Sequence, residues 1–216
     1  MSNGPFIGVV DYGAGNLRSV AKALERVGAR VKVAGNPGAL KGACGVLVPG
    51  VGAFGDAMSA LTRRGFTAFI RRRAAEDRPM LGVCLGLQLF CRDSDEFGLH
   101  KGFGFFDAPV RRFGRALKAP HMGWNAVDFD PACPLFRGLD QGRPFYFLHS
   151  YRAPLQGGGA AARTEYGGET FAAALWRGNL FATQFHPEKS QADGLRLYRN
   201  FWGLSRGRAK KGGAGA

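Results

Sequence analysis

Leu81–Phe90 reads LGVCLGLQLF, an apolar run with one cysteine held between Gly82 and Gly86, each two residues from Cys84. Pro79 to Val83 reads as a short buried strand, and Leu85 to Cys91 starts a helix. A strand that becomes a helix through G-x-C-x-G must bend sharply at the cysteine. The turn residue then takes a strained backbone, and its neighbours approach so closely that only glycine fits. Hydrolases use the same device, with serine, as a nucleophile elbow. The side chain is displayed above the C-terminal edge of the sheet, and the helix N-terminus beneath it favours a thiolate. The backbone N–H of Leu85 points at the same spot and can donate to an oxyanion. A merely buried cysteine at a strand–helix join is an equal reading of this stretch alone, since free cysteine is among the most buried residue types.

Working outward, the N-terminal half alternates strand and helix. Phe6 to Val10 is a buried strand that ends in the turn residues Asp-Tyr-Gly-Ala-Gly. Asn16 caps a helix whose Leu17, Val20, Ala21, Leu24 and Val27 fall at helical spacing, and Gly28 closes it. Val31 to Ala34 and Val46 to Val48 are further strands. A helix follows from Ala57 to Ala75, with Ala57, Leu61, Phe69 and Ile70 inward. This alternation predicts an α/β fold with a mostly parallel central sheet flanked by helices. Beyond residue 100 the pattern becomes short β-like pieces, at 110–113, 126–129, 145–148, 170–175 and 180–185, which predicts mixed or antiparallel pairing. LQGGGAAA (155–162) reads as a hairpin loop, and Gln191 to Trp202 as a last helix. The expected organisation is a single domain over residues 1–203 and a basic, Gly-rich, disordered tail over 204–216.

If Cys84 reacts, it needs a base. His186 lies in ATQFHPEKS at the end of an apolar strand that Pro187 stops, and Glu188 follows two residues later. A turned His-x-Glu brings the carboxylate to the far imidazole nitrogen, fixing the tautomer and stabilising the imidazolium. By itself a strand-end histidine is more often a surface turn residue; beside the cysteine elbow it reads as the base. PGVGAFGD (Pro49 to Asp56) follows the third strand and can direct a second backbone N–H into the site. It is not a Walker A loop, because no Gly-Lys-Ser/Thr follows.

Bulk composition narrows the classes. The 216 residues carry 34 glycines and a formal net charge of +14. Much of that charge sits in the terminal tail and in RRGFTAFIRRRAAEDR (63–78), which reads as the wet face of a helix, so no nucleic-acid partner is expected. No apolar run approaches the roughly 18 residues of a membrane span, so no membrane is expected either. The opening residues lack the pattern of a secretory signal. Cysteines 44, 84, 91 and 133 form no CxxC pair. Reduced thiols in the cytoplasm fit better than disulfides or a metal site.

Three pieces together, PGVGAFGDAM, GVCLGLQLF and QFHPEKS, resemble the class I (triad) glutamine amidotransferases over residues 5 to 203. The resemblance implies a flavodoxin-like fold, L-glutamine as substrate and no cofactor. It implies Cys84 as nucleophile, His186 as base and Glu188 as its orienting group. It implies backbone N–H groups of Val51 and Leu85 as the oxyanion hole. It also implies that Gly50, Gly52, Gln88, His149, Ser150 and Tyr151 hold the glutamine. DYGAGNLRSV, HMGWN (121–125) and FYFLHSYRA (145–153) resemble the histidine-biosynthesis branch of that family. There the glutaminase forms a heterodimer with a (β/α)8-barrel cyclase, which uses the ammonia to make imidazole glycerol phosphate and aminoimidazole carboxamide ribonucleotide. Asn16, His121, Trp124 and Asn125 would then face the barrel. A glutaminase serving pyridoxal phosphate synthase or a sugar-modifying synthase, and an inactive binding relic of the fold, remain alternatives.

Overall fold

The computed structural model describes residues 4–114 and 117–212. Its central sheet contains β1 (Ile7–Val10), β2 (Val31–Ala34), β3 (Gly45–Val48), β4 (Met80–Val83), β8 (His121–Phe129), β9 (Arg143–His149), β11 (Ala160–Tyr166), β12 (Glu169–Arg177) and β13 (Leu180–Thr183). Their order is β2-β1-β3-β4-β13-β12-β11-β8-β9. The pairs from β2 through β13 are parallel, and those from β13 through β9 antiparallel. The predicted change from parallel to mixed pairing is therefore present, and it falls at β13.

The parallel strands are short continuous apolar runs because both faces are covered. In β3, Leu47 points into one core layer and Val46 and Val48 into the other. The first layer holds α1 (Leu17–Arg26) and α5 (Gln191–Gly212), through Val20, Leu24, Leu197, Tyr198 and Phe201. The second holds α2 (Phe54–Arg63), α3 (Phe66–Ala75) and α4 (Leu85–Phe90), through Phe54, Leu61, Phe66, Ile70 and Leu87. Among the described residues no helix is long and apolar enough to cross a membrane.

Five local expectations are corrected. The helix read over 57–75 begins at Phe54 and is two helices, interrupted where Gly65 takes φ +75°. Arg73, read on a wet face, is buried: its guanidinium donates to the carbonyls of Ala43 (3.0 Å) and Pro79 (3.4 Å), at the N-terminal ends of β3 and β4. The helix after Cys84 ends at Phe90. Cys91 opens β5 (Cys91–Ser94), which joins β6 (His100–Lys101), β7 (Phe106–Arg112) and β10 (Tyr151–Arg152) in a second sheet of order β10-β7-β5-β6. LQGGGAAA is a loop only through Gly159, because Ala160 starts β11 inside the large sheet. Finally, α5 does not stop before 204. It runs to Gly212, and Ser205 is fully buried against β3 at Gly45. The side chains of Arg208, Lys210 and Lys211, and residues 213–216, lie outside the described residues.

Candidate active site

Three neighbouring parallel strands deliver three chain segments to one sheet edge. Val48 of β3 pairs Gly82 of β4, and Val83 of β4 pairs Thr183 of β13. The residues just beyond them are Pro49–Gly52, Cys84 and Gln184–His186. Register alone therefore brings loop, cysteine and histidine together, although the last two lie about a hundred positions apart in the chain.

Cys84 has φ +54° and ψ −105°, a conformation that only a sharp turn imposes on a residue with a side chain. The glycines around it have the expected cause. A Cβ on Gly82 would stand 2.6 Å from the Gly86 carbonyl oxygen, and one on Gly86 would overlap the Val48 carbonyl oxygen. The elbow is fixed by ladder bonds, with Cys84 N–H donating to Thr183 O at 2.8 Å. The thiol lies 3.6 Å from the carbonyl of Leu148.

His186 precedes a 3-10 turn, Pro187–Lys189, which folds Glu188 back onto it. His186 Nδ1 donates to Glu188 Oε1 at 2.9 Å, with both side chains buried. Tyr198 on α5, fully buried, donates to the other oxygen, Oε2, at 3.2 Å. Burial opposes a charge on the imidazole, but the Cys84 sulfur and the Glu188 carboxylate outweigh it and raise the His186 pKa well above the ordinary value. His186 Nε2 is buried without a hydrogen-bond partner, so its link to Cys84 here is charge proximity rather than a closed bond.

The other walls of the cavity, about 470 Å³ in volume, include Gly50, Val51 and Gly52, then Leu85 and Gln88, then His149, Ser150 and Tyr151. Every residue expected from the sequence to handle glutamine thus lines one space with the Cys84–His186–Glu188 set. Gly50 packs directly on the Tyr12 hydroxyl and on Leu85, leaving no room for a Cβ, and Gly52 has φ +95°. Sequence reasoning missed Glu96, Phe97, Pro120 and Lys189, which also line the cavity. Glu96 accepts from the Phe54 N–H at 2.7 Å and so caps α2 from a loop 42 residues away. No local spacing could have announced that contact. Gln184, fully buried behind the sulfur, was also missed. It lies inside QFHPEKS at the alternate position to His186, a period-2 signal that was available.

The four residues assigned to a partner surface separate into two groups. Asn16 is exposed while its side chain accepts from Ser19 N–H, and Trp124 is half-exposed, edge-on to Tyr146. Asn125 is partly exposed, with its amide donating to Glu165 O. His121 is the correction: it is buried, stacked between Phe147 (4.9 Å) and Tyr166 (4.2 Å), with Nδ1 3.3 Å from His149 Nε2. Position 121 faces inward on β8, whereas Trp124 sits on the open side, so the His121 side chain cannot meet a partner.

Burial lowers His121 to about 4 and His149 to about 3, so both stay neutral where the unfolded chain would charge them. The unfolded chain takes up protons below pH ~6.5 that the fold refuses, so stability is full above that pH. It falls by about 1.4 kcal/mol per pH unit per histidine as pH drops toward the folded values. In urea unfolding between pH 6.5 and 4.5, His121→Phe is expected to show a shallower loss than the wild type, by about one proton's slope. Equal slopes would mean that His121 is protonated within the fold.

Comparison with known proteins identifies the family. The family profile for class-I glutamine amidotransferases covers residues 8–203. The chain belongs to the class-I glutamine amidotransferase family. Within it, this chain is 48% identical over 200 residues to the imidazole glycerol phosphate synthase subunit HisH of Syntrophotalea carbinolica, covering 89% of this chain and 97% of that one. It is likewise 48% identical over 201 residues to the protein of that name from Moorella thermoacetica, covering 93% and 95%. Among solved structures, PurLQS from Thermotoga maritima superposes with a TM-score of 0.72 at 19% identity, covering 93% of this chain and 98% of that one, which establishes likeness of fold.

Proposed function

We propose that this chain is the glutaminase subunit of an imidazole glycerol phosphate synthase, hydrolysing L-glutamine and passing ammonia to a separate (β/α)8-barrel cyclase for histidine biosynthesis. The observation that carries the chemistry is the buried His186–Glu188 pair at 2.9 Å in one cavity with the Cys84 elbow. The two relatives at 48% identity, each covered almost end to end, support the choice of synthase.

In the reaction, the Cys84 thiolate attacks the γ-carboxamide carbon, and the oxyanion is held by the N–H groups of Leu85 and Val51. His186, carrying the proton taken from the thiol, gives it to the leaving nitrogen, and ammonia departs from the glutamyl thioester. His186 is then neutral and takes a proton from water as that water attacks the thioester. Glutamate leaves and the Cys84–His186 pair is restored. Glu188 keeps Nδ1 protonated throughout, so that Nε2 does the exchanging. Asn16, Trp124, Asn125 and Met122 keep exposed or partly exposed side chains, polar and apolar, of the kind a barrel partner would cover. All four cysteines are unpaired and buried, which suits a reducing cytoplasm.

The test is glutamate release by the chain alone, with its cognate cyclase, and with cyclase plus nucleotide ligand. Slow turnover alone and a rise on the order of 10²–10³-fold with the liganded cyclase are expected, the worth of one oxyanion donor brought into place. Activity indifferent to the cyclase would keep the glutaminase and remove the synthase assignment.

A further inference from the structure

Gln184 is fully buried, and its hydrogen bonds form a chain with a fixed direction. The Tyr151 carbonyl can only accept, so Gln88 must turn its amide nitrogen toward it, at 2.8 Å. The second hydrogen of that nitrogen goes to Oε1 of Gln184, at 3.1 Å. With its oxygen engaged, Gln184 presents Nε2 on its other side, where the Cys84 sulfur lies at 3.8 Å. One backbone oxygen thereby orients two side-chain amides that could each adopt either sense.

We propose that Gln184 is a further working residue of this centre: its amide nitrogen donates to the Cys84 sulfur, and its amide oxygen holds Gln88 so that the Gln88 carbonyl oxygen is left for the substrate. The half that concerns substrate rests on the glutaminase reading; the half that concerns sulfur does not.

The sulfur needs this donor. As a thiol it can donate to the Leu148 carbonyl, 3.6 Å away. Once the proton has moved to His186, the same carbonyl repels the anion. A buried thiolate is stabilised by N–H donors, and the Gln184 amide, 3.8 Å away, is placed to supply one. The consequence for specificity follows from Gln88, which lines the cavity. Both hydrogens of its nitrogen are committed, so it can only accept from what enters. A carboxamide or an ammonium group satisfies it. The carboxylate of the product faces an oxygen that repels it. The same network thus favours the amide substrate over the acid it becomes.

The experiment compares the wild-type chain with Gln184→Met and Gln184→Leu, which keep the bulk and remove the donor. Alkylation of Cys84 by iodoacetamide at pH 7 is followed on the Cys84 peptide by mass spectrometry, alongside melting temperature and the kcat and KM for glutamine. We expect alkylation to slow about tenfold in both variants, with melting within a few degrees of wild type. We also expect kcat to fall and KM to rise. Unchanged alkylation in both folded variants overturns the proposal. A second measurement needs no Gln184 variant. The side-chain amide proton resonance of Gln184 should move between the wild type and Cys84→Ala, and an unmoved resonance overturns the contact whatever the variants do. A chain that hydrolyses no glutamine yet gives both results would remove the glutaminase reading and leave the sulfur contact standing.

Discussion

Cys84→Ala ends glutamine hydrolysis, lowering kcat by about 10⁴-fold or more in the presence of the liganded cyclase. No other side chain in the cavity can take over. The remaining cysteines are buried in the core, and none of them lines the cavity. Cys84→Gly is expected to be as inactive but more stable than Cys84→Ala. The backbone at φ +54°, ψ −105° costs a side-chain-bearing residue on the order of 1–3 kcal/mol, which glycine avoids. Glycine returns about 0.4–1 kcal/mol of that by freeing the unfolded chain. The balance favours glycine by about 1 kcal/mol, or about 2–4 °C in melting temperature for a chain of this size. Calorimetry of the two inactive variants decides it. A glycine variant that melts below the alanine variant would mean that the elbow is not strained.

Gly86→Ala is the second large effect, and here one methyl group does the damage. It would overlap the carbonyl oxygen of Val48, the last residue of β3. Neither party can yield cheaply. Val48 is tied into the ladder beside Gly82, and Gly86 is in the first turn of a six-residue helix packed in the core. Pushing α4 away also pushes away Leu85, whose N–H is the proposed donor to the oxyanion. A loss of about 3 kcal/mol of stability or more is expected. In whatever still folds, kcat should fall by about 10²–10³-fold. Urea unfolding and glutaminase assays check the two parts. Gly203→Ala is the control, since nothing lies near that position in α5, and it should be neutral or slightly stabilising. A Gly86→Ala chain as stable as wild type would mean that α4 and β3 are not in close contact.

What could be read from the sequence was whatever a local pattern encodes. The cysteine between glycines, the His-x-Glu turn and the apolar runs of β1, β3 and β4 each carry their own signature. Alternation of strands with helices then pointed to a mostly parallel sheet covered on both faces. What could not be read depends on distant partners. Cys91 continues an apolar helical stretch, yet becomes a strand because β7 lies alongside to pair with it. Ala160–Tyr166, a run of small and charged residues after three glycines, is a strand because β12 and β8 flank it. Arg73 looks like its two arginine neighbours until carbonyl groups from two strand starts converge on it. His121 was placed on the outside by resemblance, but the alternation of β8 puts it in the aromatic layer with Phe147 and Tyr166.

The pairing of β4 with β13, Met80 against Leu180, also sets a schedule for the growing chain. The proposed nucleophile is synthesised about a hundred residues before its proposed base. At about 5–20 residues per second, Cys84 emerges from the ribosome some 5–20 seconds ahead of His186. Through that interval the thiol has no imidazole to take its proton, and the edge of β4 that will receive β13 stands open. A partly made chain is thus incapable of consuming glutamine, and its most exposed moment is the wait for one four-residue strand.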